Sequence, residues 1–227
     1  MKLLSKALVL VALCSSFVTG QELTSKEKLQ KIDELQSQVK TLEKEILAPG
    51  KKDLKAAQSE NLEVFRIMPR EIYGRKLNIE GGGAYYSFTS GSHDYQKIAQ
   101  ISLEQNKIKV GFAGADYGFI ADLGEINLAS VTRETTEANF LANYKPPTGE
   151  TEVRIEQRRA ANYEVNGLVY KNSLPAVVGH SYVLRAISFR DADVLVAFKI
   201  HRQDADGSLI VFWKMLENFE KPLFAQK

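Results

Sequence analysis

The sequence predicts an all-β domain, an antiparallel sandwich or barrel-like fold, preceded by an N-terminal amphipathic helix. Three observations carry that expectation. From residue 61 onward, short runs rich in Val, Ile, Phe and Tyr recur between Gly-, Asn- and Asp-containing turns. The runs follow one another too closely for crossover helices between parallel strands. Residues 21–60 are different: they hold no aromatic residue and set apolar side chains at alternating steps of three and four.

The chain opens MKLLSKALVLVALCSSFVTG. Lys2 and Lys6 precede an apolar run, 7–13, too short to span a bilayer, and Val18-Thr19-Gly20 supplies small or short side chains for a cut before Gln21. Residues 1–20 therefore read as a signal peptide and the protein as exported, periplasmic or extracellular. A retained anchor helix and lipidation at Cys14 are the alternatives; Leu13 stands where a lipidation signal wants a small residue. No membrane span is expected in the mature chain. Cys14 is the only cysteine, so without the leader no disulfide forms and stability must come from the core. The whole chain has formal charge +2 and the leader carries two lysines and no acid, which leaves the remainder formally neutral. Nucleic acid, which demands a basic excess, is not an expected partner.

Within 21–60, Ile32, Leu35, Val39, Leu42 and Ile46 form an a/d seam. Lys31, Gln36, Gln38, Glu43 and Glu45 flank it, as e and g residues do. Thr24 to Glu27 matches a capping box, and Ala48-Pro49-Gly50 ends the helix. The seam covers fewer than three heptads. It implies either self-association through parallel helices or a helix folded back on its own domain. Residues 51–60, polar and charged, could carry a second short helical piece but read as a linker.

The β domain, 61–227, is expected to place strands at 64–68, 85–88, 98–103, 108–112, 119–123, 151–157, 182–189, 194–202 and 208–213. Val153 and Ile155, alternating with charged residues, make 151–157 a half-solvated strand. Residues 127–142 look weakly helical. The last hairpin turns through Gln203-Asp204-Ala205-Asp206-Gly207, which sets Ile200 opposite Ile210 and Phe198 opposite Phe212. Lys199, His201 and Val211 would then occupy the wetter face.

Gly81-Gly82-Gly83 raises the question of a phosphate loop. No Lys follows until Lys97, and the next residues read as a strand rather than a helix, so the triplet is a backbone bend. Asp204-Ala205-Asp206-Gly207 lacks the later ligands of a calcium loop and is a hairpin turn. His93, His180 and His201 are too far apart for a local metal pair, and no G-x-S-x-G elbow occurs. Hence no catalytic residue, no metal site and no cofactor is expected. The candidate ligand-binding residues are Tyr85, Tyr86, Asp94, Asp116 and Tyr117. Aromatics beside acids can stack on sugar rings, and bends gather near sites. Within Gly111 to Phe119, Tyr117 is the aromatic expected to be exposed, and Asp116, Asp122 and Glu125 are expected to be solvated loop acids.

At IEGGGAYYSF (79–88), VGFAGADYGF (110–119) and SYVLRAISFRDADVLVAFKIHRQDADGSLIVFWKML (181–216) the chain resembles an uncharacterised family of predicted exported bacterial proteins. The resemblance spans most of 64–222. That group carries no assigned activity, so the resemblance transfers no function and no functional residue. The expected function is a non-catalytic binding or interaction protein of the bacterial cell envelope, with an envelope protein or glycan as partner. The alternative is a hydrolase acting on a saccharide or envelope polymer, with its site near Tyr85, Asp94 and Asp116.

Overall fold

The computed structural model describes residues 23–112 and 114–225. The leader and Cys14 lie outside them. The chain forms two units, Met1–Val39 and Lys40–Lys227. In chain order the elements are α1 (Ser25–Leu47), α2 (Lys51–Ser59), β1 (Glu63–Ile67), α3 (Arg70–Tyr73), β2 (Tyr85–Tyr86), β3 (Ile101–Glu104), β4 (Lys107–Lys109), β5 (Tyr117–Gly124), α4 (Thr136–Asn143), α5 (Glu150–Arg159), β6 (Tyr163–Val165), β7 (Leu168–Tyr170), β8 (Ser173–Pro175), β9 (Ser181–Ser188), β10 (Ala192–Gln203) and β11 (Leu209–Asn218). The fold is mostly β with antiparallel sheets, but the helices between strands correct the all-β expectation. Among the described residues no helix is long and apolar enough to cross a membrane.

The first unit contains most of α1. Its start is capped as expected: Thr24 N–H donates to Glu27 Oε2 at 2.7 Å, and Glu27 N–H donates to Thr24 Oγ1 at 3.3 Å. Each satisfies an otherwise orphaned donor.

In the second unit, one sheet runs β1-β11-β10-β9-β5 and another β2-β3-β4-β8. One apolar cluster lies between them, built from Phe65 and Ile67 of β1, Ile101 and Leu103 of β3, Ile108 of β4 and Phe198, Ile200, Val211 and Trp213 of the final hairpin. The sheets meet at two seams made of isolated backbone hydrogen bonds. Met68 N–H reaches Gly83 O at 3.1 Å, and Ile120 and Lys171 exchange bonds of 2.7 and 3.0 Å. These are contacts at points, so β1 and β5 remain edges and the sheets do not close into a barrel.

The outer face of the larger sheet is also dry. Tyr117, Phe119, Val183 and Leu195 pack beneath α4, α5 and β6-β7. Ala197, Ile210 and Phe212 pack beneath Ala57 of α2 and the 3₁₀ turn Leu128–Ser130. All eight residues of β9 are consequently buried. A strand covered on both faces carries no apolar–polar alternation to reveal which face is which, and here even Arg185 and the terminal serines are buried.

Three expectations are corrected here. Residues 51–60 carry α2 rather than a linker; Asp53 accepts from Gly50 N–H at 3.1 Å at its start, and the helix packs Ala57 against the sheet. Residues 151–157 belong to α5, because Val153, Glu156 and Ala160 fall at helical spacing and are the buried positions, while Ile155 is exposed. Glu150 and Glu152 in the first turn, with Arg158 and Arg159 in the last, complement the helix dipole. In the hairpin, a bulge between Ile200 and Arg202 shifts the register, setting Ile200 opposite Val211 and Phe198 opposite Trp213. Val211 is therefore in the core and not on a wet face, while His201 lies exposed and stacked on Phe212 at 4.1 Å.

The two turn readings agree with the geometry. Gly81, Gly82 and Gly83 have φ of 68°, 64° and 77°, a left-handed run that aims the chain into β2. In the hairpin turn Gly207 N–H bonds Asp204 O at 2.9 Å, Arg66 holds Asp204 at 2.9 Å, and Tyr73 donates to Asp206 at 2.8 Å.

Candidate functional site

The loop from Gly111 to Asp116 joins β4 to β5. Gly111 has φ of 72°, and a Cβ there would lie 2.6 Å from the Tyr117 Cα, so the chain can fold closely over the start of β5 only with glycine. Gly114, at φ of 56°, projects into open space. The misread helix α5 anchors this loop: the Gln157 side-chain amide donates to Gly114 O at 2.9 Å and to Asp116 O at 3.0 Å.

Three adjoining cavities share Gly114. One of about 220 Å³ lies between the loop and α5, with Phe112, Asp116, Tyr117 and Asn172 in its wall. A second of about 260 Å³ follows Val153, Arg154 and Gln157 to Phe224. The third, about 490 Å³, is bounded by Asp116, Glu150, Arg190, Asp191 and the stacked rings of Phe189 and Phe224, 4.3 Å apart. Taken together as one groove around Gly114, they are bordered by several carboxyls and by aromatic residues, of which Tyr117 and Phe189 are themselves buried.

Asp116 is its most distinctive group. Burial pushes its carboxyl up to about 6; a hydrogen bond with Ser188 opposes the rise and the charge of Asp191 adds to it. It is half-buried, which corrects the expectation of a solvated loop acid. At neutral pH it accepts hydrogen bonds; below about pH 6 it also donates one. Because the folded-state value lies above the ordinary one near 4, the folded chain holds a proton that the unfolded chain has lost between about pH 4 and 6. Stability from this group thus falls as pH rises through that window. Asp116→Asn is expected to raise stability by about 1 kcal/mol at pH 7.5, after discounting for solvent screening, and by nothing below pH 4. Thermal melts of both proteins from pH 3.5 to 8 check this; a constant difference across the range contradicts it.

The five candidate residues separate. Asp116 and Tyr117 border the groove. Tyr117 is only 2% exposed, which corrects its expected exposure. Helices α4 and α5 cover it, and its hydroxyl donates to Tyr144, which donates to Glu156 at 2.8 Å, itself paired with Arg159 at 2.7 Å. Burial holds the Tyr117 and Tyr144 phenols protonated far above their ordinary range. Tyr85 is buried one ring behind the groove, 5.5 Å from Phe112 and 4.7 Å from Tyr95. Tyr86 belongs to the core, stacked on Phe65 at 3.6 Å, and burial raises its phenol to about 12. Asp94 caps a short turn, accepting from Gln96 N–H at 3.1 Å. Sequence reasoning missed Glu150, Gln157, Asp191 and Phe224. Reading 150–159 at helical period would have found the first two.

Compared with protein-family models, curated proteins and solved structures, the chain matches none.

Proposed function

We propose that the protein is an exported, non-catalytic binding protein of the bacterial cell envelope, with the groove around Asp116 as its ligand site. The observation that supports this reading is the groove itself: aromatic rings lie beside a half-buried carboxyl able to donate or accept near pH 6. That chemistry suits a hydroxyl-rich ligand such as an envelope glycan, whose ring faces are apolar and whose edges are polar. We read the two facing sheets as a sandwich, with the groove beside Asn172, whose carbonyl accepts from Val110 N–H at 2.9 Å next to the Ile120–Lys171 seam. Export rests on the leader alone, and N-terminal sequencing of the secreted form should begin at Gln21; an intact Met1 refutes cleavage.

The binding test is calorimetry with soluble envelope glycan fragments at pH 5 and 7.5. Saturable binding is expected, weakened roughly tenfold by Asp116→Asn, the size of one lost charge-assisted hydrogen bond. Equal affinity of wild type and variant removes Asp116 from the site.

One observation favours hydrolysis instead. Asp116 and Asp191 border the same cavity, and a carboxyl kept protonated to about pH 6 beside a second one is what a general acid requires. Turnover of those fragments, abolished by Asp116→Asn, would replace the binding reading with this one.

A further inference from the structure

We propose that α1 pairs with α1 of a second copy of this chain as a parallel two-stranded coiled coil. The inference is independent of the groove. None of the α1 side chains is buried, and its large apolar residues stand open: Ile32 and Leu35 at 48%, Val39 at 37%, Leu42 at 57% and Ile46 at 42%. A helix that leaves such a stripe uncovered gains by pairing it, since short isolated helices are marginal in water.

The occupant is argued from the residues of the stripe. The a positions are Ile32, Val39 and Ile46, all β-branched, and the d positions are Leu35 and Leu42. That division is the one that packs in two-stranded parallel coils, where β-branched side chains fit the a layers and leucine the d layers. The flanking charges agree. In a parallel pair Lys31 faces Gln36 of the second copy, and Gln38 faces Glu43, so no like charges meet across the seam. The Thr24–Glu27 capping box has already fixed the helix start, which lowers the cost of ordering it on association. The apolar stripe runs about 22 Å at 1.5 Å per residue, short for a coiled coil, so pairing is concentration-dependent.

Sedimentation of the purified full chain carrying Cys14→Ser tests this. At about 100 μM, where a complex of micromolar affinity is saturated, a dimer is expected. Leu35→Lys with Leu42→Lys should give a monomer at the same concentration. Unchanged near-ultraviolet circular dichroism would show that the β domain is intact, as expected for substitutions at exposed side chains. Orientation is read by oxidation. Leu35→Cys should cross-link to itself, because equivalent d residues face each other in parallel strands. A monomeric parent overturns the proposal, and so does a dimer that persists in the double-lysine variant. A cross-link that needs a mixture of Leu35→Cys and Val39→Cys chains also overturns it, because that pattern marks antiparallel strands.

Discussion

Arg185→Met is expected to cost about 3–5 kcal/mol of folding stability, the usual result of stranding one partner of a buried ion pair. Arg185 and Asp193 lie on neighbouring strands β9 and β10, with side chains 3% and 2% exposed. The guanidinium meets the carboxylate through two bonds, Nε at 2.8 Å and Nη2 at 2.7 Å. Its Nη1 also donates to Leu141 O at 2.5 Å and Tyr144 O at 2.8 Å, and its Cζ lies over the Phe219 ring, 3.9 Å from the centroid. This one side chain therefore joins the sheet to the end of α4 and to the C-terminal segment. Removing it leaves a buried carboxylate without its partner and takes a donor from each of two carbonyls, of which Leu141 O keeps a 3.3 Å bond from Tyr144 N–H. In a domain of this size the loss lowers Tm by on the order of 10 °C. The double variant Arg185→Met/Asp193→Leu should recover much of the stability, because no charge is then left unpaired. Urea unfolding followed by Trp213, the only tryptophan, measures both. A single variant within 1 kcal/mol of wild type would mean that the pair is not desolvated.

Gly82→Ala is expected to cost about 3 kcal/mol or more. An L residue at φ of 64° carries a penalty of about 1 kcal/mol on its own. The added Cβ would also sit 2.1 Å from the Tyr73 carbonyl oxygen, a backbone atom that cannot rotate away. Relief requires moving α3 or the bend, and the bend carries the Met68–Gly83 bond at the seam between the sheets. Gly124→Ala is the control. It has φ of 71° but nothing within 4 Å, so only the conformational penalty of about 1 kcal/mol applies. Equal losses in the two variants would show that close approach contributes nothing, and that the glycine triplet is needed for another reason.

The readable parts of the fold were those decided by local chemistry. The glycine triplet could be judged a bend because neither lysine nor helix follows it, and Asp204 to Gly207 a turn because strands flank it closely. The capping box at Thr24 needed only its own spacing. What stayed hidden depended on partners distant in sequence. The alternation of Val153 and Ile155 imitates a strand, and only the burial of Glu156 and Ala160 shows the helical face. Missing α5 meant missing the roof over Tyr117, so its ring looked free. The bulge at His201 leaves no local mark, yet it moves Val211 from one face to the other. Asp116 was identified from glycines and aromatics around it, whereas Gln157, which ties its loop in place, lay inside the misread segment.

The groove, the binding reading and the hydrolytic alternative all depend on the desolvated carboxyl of Asp116. A carbon-detected NMR titration of that side chain tests it most directly. The expected midpoint is about 6, falling when a ligand that donates to the carboxylate fills the groove. A midpoint near 4, as for an acid open to water, would contradict the account.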